Sequence, residues 1–276
     1  MTIVQRAVRR IAVVPAFNEE PTVAAVLELL YPHVDEVIVV DDGSTDGTRR
    51  AVERWLPSHR SARLLVHENN RGLSEAYFTA FSDLKRRLHG GEIGADDLVF
   101  TVDADGQHDL DVLEQLEQTM LDERLDALLV RRDLSSYPRY KQLGNWVMAT
   151  WATLWAGSPL PDVESGYRIF RVGALTHALE FYRGYKYSET VEAAVVLKRL
   201  GYVVRNDIVV PVPVYRSRTT MTDVVIDLAA MPRAAWRATR PLGPLGRARA
   251  LAVPIATVTA PVVALAALTL NWWRRR

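Results

Sequence analysis

Residues 36–48 read Glu-Val-Ile-Val-Val-Asp-Asp-Gly-Ser-Thr-Asp-Gly-Thr, a short apolar run followed by an acidic turn that contains glycine. The apolar run does not alternate with polar residues, which is typical of a strand buried on both faces of a parallel sheet. A helix pattern follows over residues 48–56. This stretch therefore predicts a strand–turn–helix unit with carboxylates at the carboxyl end of the strand.

The same unit recurs along the first 130 residues. Strands are predicted at 11–16, 36–40, 62–67, 98–102 and 127–130, and helices at 21–30, 48–56, 73–88 and 109–121. Apolar strands separated by helices of this length predict a mainly parallel α/β sheet with helices on both faces. Ligands of such sheets bind at the carboxyl ends of the strands.

Acidic residues follow three of these predicted strands. The first strand is followed by Asn18-Glu-Glu20, the second by Asp41-Asp42 and the fourth by Asp103-Ala-Asp105. Such carboxylates repel one another unless a cation or a donor-rich ligand lies between them. Because Mg²⁺ is usually held by one or two carboxylates and by substrate phosphates, the pattern indicates a metal–diphosphate site. Each segment alone fits a turn or helix cap equally well, but their combination favours a site.

Overall composition limits the class of protein. The chain has 276 residues, of which 49% are hydrophobic and 24% are charged, and this excludes a disordered chain. The net charge of +1 gives no support for a nucleic-acid partner. Because the chain has no cysteine, a disulfide framework, a zinc–thiolate site and a thiol nucleophile are excluded.

The C-terminal part of the chain differs from the rest. Residues 250–273 carry no charge and end in Asn271-Trp-Trp273, just before three arginines. About 20 apolar residues cross a bilayer as a helix, and Trp beside Arg is typical of a membrane interface, so the segment predicts membrane insertion. Pro254 and Pro261 leave a kinked or re-entrant hairpin open, and a buried core helix is the other alternative.

Five arginines between residues 233 and 249 precede this apolar segment. This larger basic cluster predicts a cell-membrane location with the main domain on the cytoplasmic face. Residues 223–236 fit a helix on the membrane surface or one packed on the domain. We expect an α/β domain over residues 1–220, an amphipathic, basic juxtamembrane segment over 221–249 and a transmembrane or re-entrant segment over 250–273.

Four motifs carry a resemblance to a known family. They are Val14-Pro-Ala-Phe-Asn-Glu-Glu20, Val39-Val-Asp-Asp-Gly-Ser-Thr-Asp-Gly-Thr48, Asn70-Arg-Gly72 and Val102-Asp-Ala-Asp-Gly-Gln-His108. In order and spacing they resemble the inverting glycosyltransferases of family 2, which have the GT-A fold. Residues 138–145 and 162–170 look like the branch that contains dolichyl-phosphate mannose synthase and bacterial polyprenyl-phosphate glycosyltransferases. The resemblance covers residues 11–216.

The resemblance implies a donor site at the strand ends. Asp103 and Asp105 would hold Mg²⁺ or Mn²⁺ on the diphosphate, where the metal stabilises the charge that develops on the leaving nucleoside diphosphate. The sequence leaves open whether Arg131 or Arg132 points inward. Nucleotide-sugar binding is implied for Pro15, Phe17, Glu19, Asp41, Asp103, Ala104, Gln107 and Arg132.

The resemblance also implies an acceptor site and catalytic residues. Asp105, Asp162 and Arg168 are implied as catalytic, and the last two flank a turn that faces the acceptor in the resembling enzymes. A phosphate monoester is already an oxyanion at neutral pH, so it needs positioning and charge screening more than a general base. Because arginine and lysine bind phosphate well, the cations expected to bind the acceptor phosphate are Arg139, Lys141, Arg168 and Arg216.

Three features have more than one interpretation. The predicted helix 140–156 carries Trp146, Trp151 and Trp155, which fit core packing or an amphipathic helix against the bilayer. Glu189 and Glu192, at the start of a further predicted helix, are either catalytic neighbours or favourable charges at its positive end. The loop 216–221 lacks the glycine and lysine common in the branch, with Arg218 as the candidate substitute.

The sequence thus predicts an enzyme that moves one hexose from a UDP- or GDP-sugar to polyprenyl phosphate with inversion. The absence of the Gln-x-x-Arg-Trp motif of processive synthases favours single-sugar transfer. Transfer to a protein, glycan or soluble acceptor stays open, as does a catalytically silent, membrane-anchored module that binds nucleotide sugar. Nucleotidyl transfer is disfavoured because its glycine-rich, lysine-bearing N-terminal loop is missing.

Overall fold

The computed structural model describes residues 7–211 and 220–257, apart from the Met221 side chain. The strands in this part of the chain are β1 (Arg10–Ala16), β2 (Glu36–Asp41), β3 (Ala62–Val66), β4 (Leu98–Thr101), β5 (Ala127–Leu129), β6 (Arg131–Arg132), β7 (Arg168–Arg171), β8 (Val204–Arg205) and β9 (Val209–Val210). The helices are α1 (Val23–Leu30), α2 (Thr48–Trp55), α3 (Leu73–His89), α4 (Leu113–Asp122), α5 (Arg139–Ala156), α6 (Val172–Ala178), α7 (Glu189–Arg199), α8 (Met221–Ala238) and α9, described over residues 243–257.

Seven of the described strands form one sheet in the order β3-β2-β1-β4-β7-β5-β8, and β6 pairs with β9. β1 is parallel to β2 and β4, and β2 is parallel to β3. The prediction of a mainly parallel sheet is therefore confirmed, and the five predicted strands are β1 to β5 with ends within one residue. Only β7 among these seven runs antiparallel to its neighbours, β4 and β5. Its four residues, Arg-Ile-Phe-Arg, are too short for a strand period to show in the sequence.

Each face of the sheet has its own apolar core. Side chains alternate along a strand, so Ile11 and Val13 of β1 pack in a cluster with α3 and α7, whereas Ala12 and Val14 pack in a cluster with α1 and α4. Every residue of β2 is buried. The prediction of helices on both faces is confirmed, and burial on both faces explains why the strands lack a polar alternation.

The predicted helices are also present, with one notable shift in a boundary. α4 begins at Leu113, four residues after the predicted start at 109. The carboxylate of Asp109 accepts a hydrogen bond from the Asp111 amide at 3.0 Å, which stabilises a turn instead of a first helical turn.

The C-terminal helices pack on the α/β domain. α8 begins with a capping box in which Thr220 and Asp223 exchange hydrogen bonds. Its Met231 and Ala235 are buried in the same cluster as residues of α5 and α7. The Trp151 indole of α5 donates to the Leu228 carbonyl of α8 at 2.8 Å. Of the two interpretations of residues 223–236, packing on the domain therefore holds for this face of α8.

Across residues 7–211 and 220–257, none of the helices has both the length and the apolar character needed to span a bilayer. Of the predicted membrane segment 250–273, only residues 250–257 are described, and they belong to α9. Arg216 and Arg218 lie outside the described residues.

Candidate active site

The loops that follow β1 and β2 are bonded to each other. Asn18, held at φ 55°, donates its amide to Ser44 Oγ at 3.0 Å and accepts from the Thr45 amide at 2.8 Å. The Glu19 amide donates to Thr48 Oγ1 at 2.8 Å. We call residues 17–19 and 41–48 the β1–β2 rim. Its two segments are fixed relative to each other because each supplies donors and acceptors to the other.

The residues predicted to bind the nucleoside lie at this rim, with one exception. Phe17 and Glu19 are partly exposed there. Asp41 is 1% exposed and accepts from the Ser44 amide at 3.2 Å. Pro15 is buried within β1, so its ring lies inside the sheet layer and not at the open edge.

Asp42 connects a third segment to the rim. Its carboxylate accepts from the Arg71 amide at 3.0 Å and from the Gly72 amide at 2.8 Å, and it lies 2.6 Å from His67 Nδ1. The approach is close at Gly43, where a Cβ would lie 2.3 Å from the Asn69 carbonyl carbon. The sequence placed both Asp41 and Asp42 at the acidic edge, and the resemblance assigned a ligand to Asp41 alone. Neighbouring side chains point to opposite sides of an extended chain, so the two aspartates serve different partners.

Asp103 and Asp105 follow β4 and are each fixed by a residue of the same loop. His108 Nδ1 accepts from the Asp103 amide at 3.2 Å, so His108 Nε2 carries the hydrogen and faces Asp103 Oδ2 at 3.3 Å. The Gln107 amide and side chain donate to Asp105 at 3.0 and 2.5 Å. Ala104, between the two aspartates, is 2% exposed, so its side chain belongs to the core.

The two aspartates have opposite pKa shifts. Burial alone would raise the pKa of Asp103, but the contact with His108 and the charge of Arg168 outweigh it, and the pKa lies below its ordinary value. Burial and the negative charge of Asp103 raise the pKa of Asp105. The two carboxylates thus repel each other, and a divalent cation between them would relieve the repulsion.

The oxygen donors of this pair fit Mg²⁺ or Mn²⁺. The Asp103 side chain is 32% exposed, and it borders a cavity of about 320 Å³. Gly166 lies directly against it, because a Cβ there would be 2.6 Å from Asp103 Oδ2. Within the part of the chain that the structure describes, no three His, Cys, Asp or Glu side chains are grouped so that they could hold a metal. Two carboxylates would therefore need the oxygens of a bound diphosphate to complete the coordination.

Arg168 lies in the interior and not at the open edge of the site. Its guanidinium is 1% exposed and donates to both carboxylate oxygens of Glu189, at 3.3 and 2.9 Å. It also lies 4.9 Å from the ring centre of Tyr77. The expectation that Arg168 contacts the acceptor phosphate does not agree with this position, because the charge is already paired inside the core. Glu189, which the sequence left between two interpretations, is the partner of this arginine.

Arg132 points inward and Arg131 is exposed, which answers the question left by the sequence. Arg132 donates to the two carboxylate oxygens of Asp162 from Nε at 2.8 Å and from Nη2 at 2.9 Å. Nη2 also donates to Asn145 at 3.0 Å and to Glu164 at 3.1 Å. Asp162 is 1% exposed, so it fixes Arg132 and does not face the open site as a free base.

The predicted acceptor cations are placed only in part. Arg139 is exposed in the first turn of α5, and Lys141 Nζ lies 5.5 Å from the Tyr137 ring centre. Asn145 of the same helix connects this region to Arg132. Lys186, which the sequence analysis missed, pairs with Asp223 of α8 at 3.1 Å. No local pattern marks Lys186, because its partner lies on a different element.

The chain is similar in sequence to a known family and to several proteins of known activity. The glycosyl transferase family 2 model matches residues 11–176. The UDP-N-acetylglucosamine–dolichyl-phosphate N-acetylglucosaminyltransferase of Methanococcus voltae is 28% identical over 205 residues, which cover 68% of this chain and 79% of that protein. The undecaprenyl-phosphate mannosyltransferase of Micrococcus luteus is 28% identical over 174 residues, which cover 60% of this chain and 68% of that protein.

The fold is similar to that of a solved glycosyl-transferring enzyme. Glucosyl-3-phosphoglycerate synthase from Mycobacterium tuberculosis, in complex with Mn²⁺, UDP and glucosyl-3-phosphoglycerate, superposes with a TM-score of 0.56 at 19% identity. The match covers 86% of this chain and 81% of that chain. At 19% identity, this similarity shows a shared fold alone.

Proposed function

Because the chain belongs to glycosyl transferase family 2, we propose that it transfers one hexose from a UDP- or GDP-sugar to polyprenyl phosphate, with inversion and with Mg²⁺ or Mn²⁺. That the chain is a glycosyltransferase follows from the family. The polyprenyl phosphate acceptor is supported by two relatives whose names specify dolichyl phosphate and undecaprenyl phosphate.

The observation that carries the donor side of the proposal is the pair Asp103 and Asp105. They lie two residues apart at the carboxyl end of β4, and burial together with the charge of Asp103 raises the pKa of Asp105, which suits a cation bound together with a diphosphate. A bound divalent metal would supply Lewis-acid stabilisation of the leaving nucleoside diphosphate. Phe17, Glu19 and Asp41 would hold the nucleoside at the β1–β2 rim.

The observation that supports a phosphate acceptor is the pairing of Asp162 with Arg132. An acceptor hydroxyl needs a base to take its proton, whereas a phosphate monoester is already ionised. Asp162 is buried against Arg132, so it is not available as that base in this arrangement. In the proposed reaction a phosphate oxygen attacks the anomeric carbon from the face opposite the diphosphate. The new bond forms as the bond to the diphosphate breaks, and the configuration inverts.

The remaining parts of the proposal concern the acceptor cations and the membrane. Arg139, Lys141 and Arg216 are the residues we assign to the acceptor phosphate, with Arg132 at the inner side of that region. We place the domain at residues 1–220 on the cytoplasmic face of the cell membrane, and residues 250–273 in the membrane. The uncharged C-terminal segment and the arginines that precede it support these two placements.

The test is transfer of radiolabelled sugar to polyprenyl phosphate in vesicles that contain the purified full-length chain. We expect a labelled lipid that mild acid hydrolyses, and we expect Asp105→Ala to lower its formation by at least about a hundredfold. Asp122→Ala is the control, because Asp122 is an exposed aspartate at the far end of α4 and should leave transfer unchanged.

Other outcomes would overturn the proposal in distinct ways. Labelled product in the aqueous phase alone would assign a soluble acceptor. A thermal shift with nucleotide sugar but no turnover with any acceptor would assign a binding module. Full activity of Asp105→Ala would remove the metal-binding role of the acidic pair.

A further inference from the structure

Asp103 has a buried side to which the proposed reaction assigns no residue. Val102 packs in the core on the α1 side of the sheet, so by alternation Thr101 and Asp103 face the α3 side. Arg168 lies opposite Thr101 in the antiparallel pair of β4 and β7, and residues paired in this way face the same side of a sheet. Asp103 and Arg168 therefore lie on one side of the sheet, the first at its edge and the second in the interior.

The Thr101 hydroxyl joins the start of β7 to this end of β4. It donates to the Gly166 carbonyl at 2.6 Å and accepts from the Arg168 amide at 3.1 Å. Gly166 in turn lies against Asp103, where a Cβ would be 2.6 Å from Oδ2. One buried hydroxyl thus fixes the segment that carries Arg168 relative to Asp103.

Tyr77 of α3 lies beneath the same carboxylate. It is 0% exposed, and the Arg168 guanidinium lies 4.9 Å from its ring centre. Burial raises the pKa of the Tyr77 hydroxyl, and the nearby charge of Asp103 raises it further, which outweighs the opposite effect of Arg168. The hydroxyl therefore keeps its proton and is a hydrogen-bond donor that faces Asp103.

The Tyr77 hydroxyl has no hydrogen-bond partner among the described residues. A buried donor without a partner destabilises a fold, and such a group is rare unless it serves a function. Hydrogen bonds in active sites are often long without a bound ligand and tighten when the ligand binds. A donor that faces a carboxylate of the candidate cation site fits a bond of this kind.

We propose that Tyr77 is a positioning residue for the cation site, whose hydroxyl holds the Asp103 carboxylate in the orientation that binds Mg²⁺ or Mn²⁺. Arg168, which the resemblance implied as catalytic, acts through the same contacts, since it packs on the Tyr77 ring and keeps its own charge paired with Glu189. This inference rests on the proposed function, because it requires the cation site at Asp103 and Asp105. Hydrogen-bonded partners of ligating side chains commonly set metal affinity in this way.

Tyr77→Phe tests the proposal, because it removes the hydroxyl and keeps the ring. Tyr182→Phe is the matched control, since Tyr182 is also 0% exposed and its hydroxyl donates to Glu189 at 3.4 Å, at the other end of the Arg168 ion pair. Arg168 itself is left intact, because its loss would leave Glu189 buried and unpaired. Binding of Mn²⁺ to the purified full-length chain, with UDP or GDP present, is followed by the electron paramagnetic resonance signal of free Mn²⁺.

We expect Tyr77→Phe to weaken Mn²⁺ binding about tenfold. Its Tm should be unchanged or slightly higher, because the hydroxyl that is removed has no partner to lose. Tyr182→Phe should bind Mn²⁺ as wild type does. Wild-type affinity in Tyr77→Phe would show the proposal to be wrong. An equal loss of affinity in both variants would assign the effect to packing of the core and would overturn it as well.

The same experiment separates this inference from the proposed function. If wild type bound no Mn²⁺ with either nucleotide, the cation site of the proposed function would be refuted, and the role of Tyr77 with it. Binding by wild type and by Tyr77→Phe alike would refute the role of Tyr77 alone.

Sugar transfer at increasing Mn²⁺ concentration gives a second readout. Saturating Mn²⁺ should restore most of the wild-type rate in Tyr77→Phe, because Tyr77 orients a ligand of the cation and touches no substrate. Asp105→Ala should show no such recovery, since it lacks the ligand itself. A rate of Tyr77→Phe that stayed low at saturating Mn²⁺ would place the hydroxyl in another step and contradict the positioning role.

Discussion

Arg168→Met should destabilise the protein strongly, because it leaves a buried carboxylate without its charged partner. Arg168 and Glu189 are each 1% exposed, and two hydrogen bonds join them. After the substitution, Glu189 keeps only weaker partners such as the Tyr182 hydroxyl at 3.4 Å. Breaking a buried ion pair from one side costs about 3–5 kcal/mol. Since each kcal/mol lowers the Tm of a chain of this size by about 2–4 °C, the expected loss is roughly 6–20 °C.

Thermal unfolding of the purified full-length chain, followed by circular dichroism in one detergent, measures this loss. The matched control is Arg49→Met, which breaks the surface pair with Glu53 at 2.8 Å, where the two side chains are 55% and 45% exposed. Exposed pairs contribute at most about 1 kcal/mol, so the control should lose no more than a few degrees.

The double variant Arg168→Met/Glu189→Gln tests the cause of the loss. It removes the unpaired charge, so it should recover a large part of the lost Tm. Equal losses for Arg168→Met and Arg49→Met, or no recovery in the double variant, would refute the argument that an uncompensated buried carboxylate sets the cost.

Two further predictions concern the acidic pair and α8. Gly166→Ala places a Cβ 2.6 Å from an oxygen of Asp103, so it should weaken Mn²⁺ binding in the presence of nucleotide, as calorimetry would measure. Gly94→Ala, whose nearest contact would be 3.6 Å away, is the control, and equal affinities in the two variants would contradict the close approach. Asp227 is buried with one carboxylate oxygen unbonded, and burial together with nearby carboxylates raises its pKa to about 7. Because this pKa lies above the unfolded value of about 3.9, its ionisation costs stability as the pH rises between the two values. Asp227→Asn should therefore raise the Tm at pH above 7 and give no gain near the unfolded pKa, and a Tm difference independent of pH would argue against the shift.

The strands β1 to β5 could be predicted because burial on both faces leaves a local mark, an unbroken apolar run in consecutive residues. The acidic ends of these strands were found for a related reason. Carboxylates next to a strand lie at its end, and parallel strands bring their ends to one edge. The β7 strand left no such mark, because it is short and is defined by its pairing with β4 and β5.

Most partners of the site residues could not be predicted, since they come from distant parts of the chain. His108 and Gln107 lie close in the chain to the aspartates they contact, yet these hydrogen bonds depend on a turn whose geometry no residue pattern specifies. Glu189 follows Arg168 by 21 positions, and the pair forms only when α7 packs next to β7. The sequence therefore contains no sign that the charge of Arg168, expected to contact the acceptor phosphate, is paired with Glu189 inside the protein.

By itself, the amino-acid sequence determined the layers of the fold, the acidic edge of the sheet and the family, because apolar periodicity and short motifs are properties of neighbouring residues. Only the tertiary structure decided which charges are available for a ligand. Arg168 and Asp162 have their charges satisfied inside the protein, whereas Leu143 and Trp146 of α5 keep their apolar side chains exposed. Burial and pairing are properties of the packed chain, since the free energy of a charge or an apolar surface depends on what surrounds it.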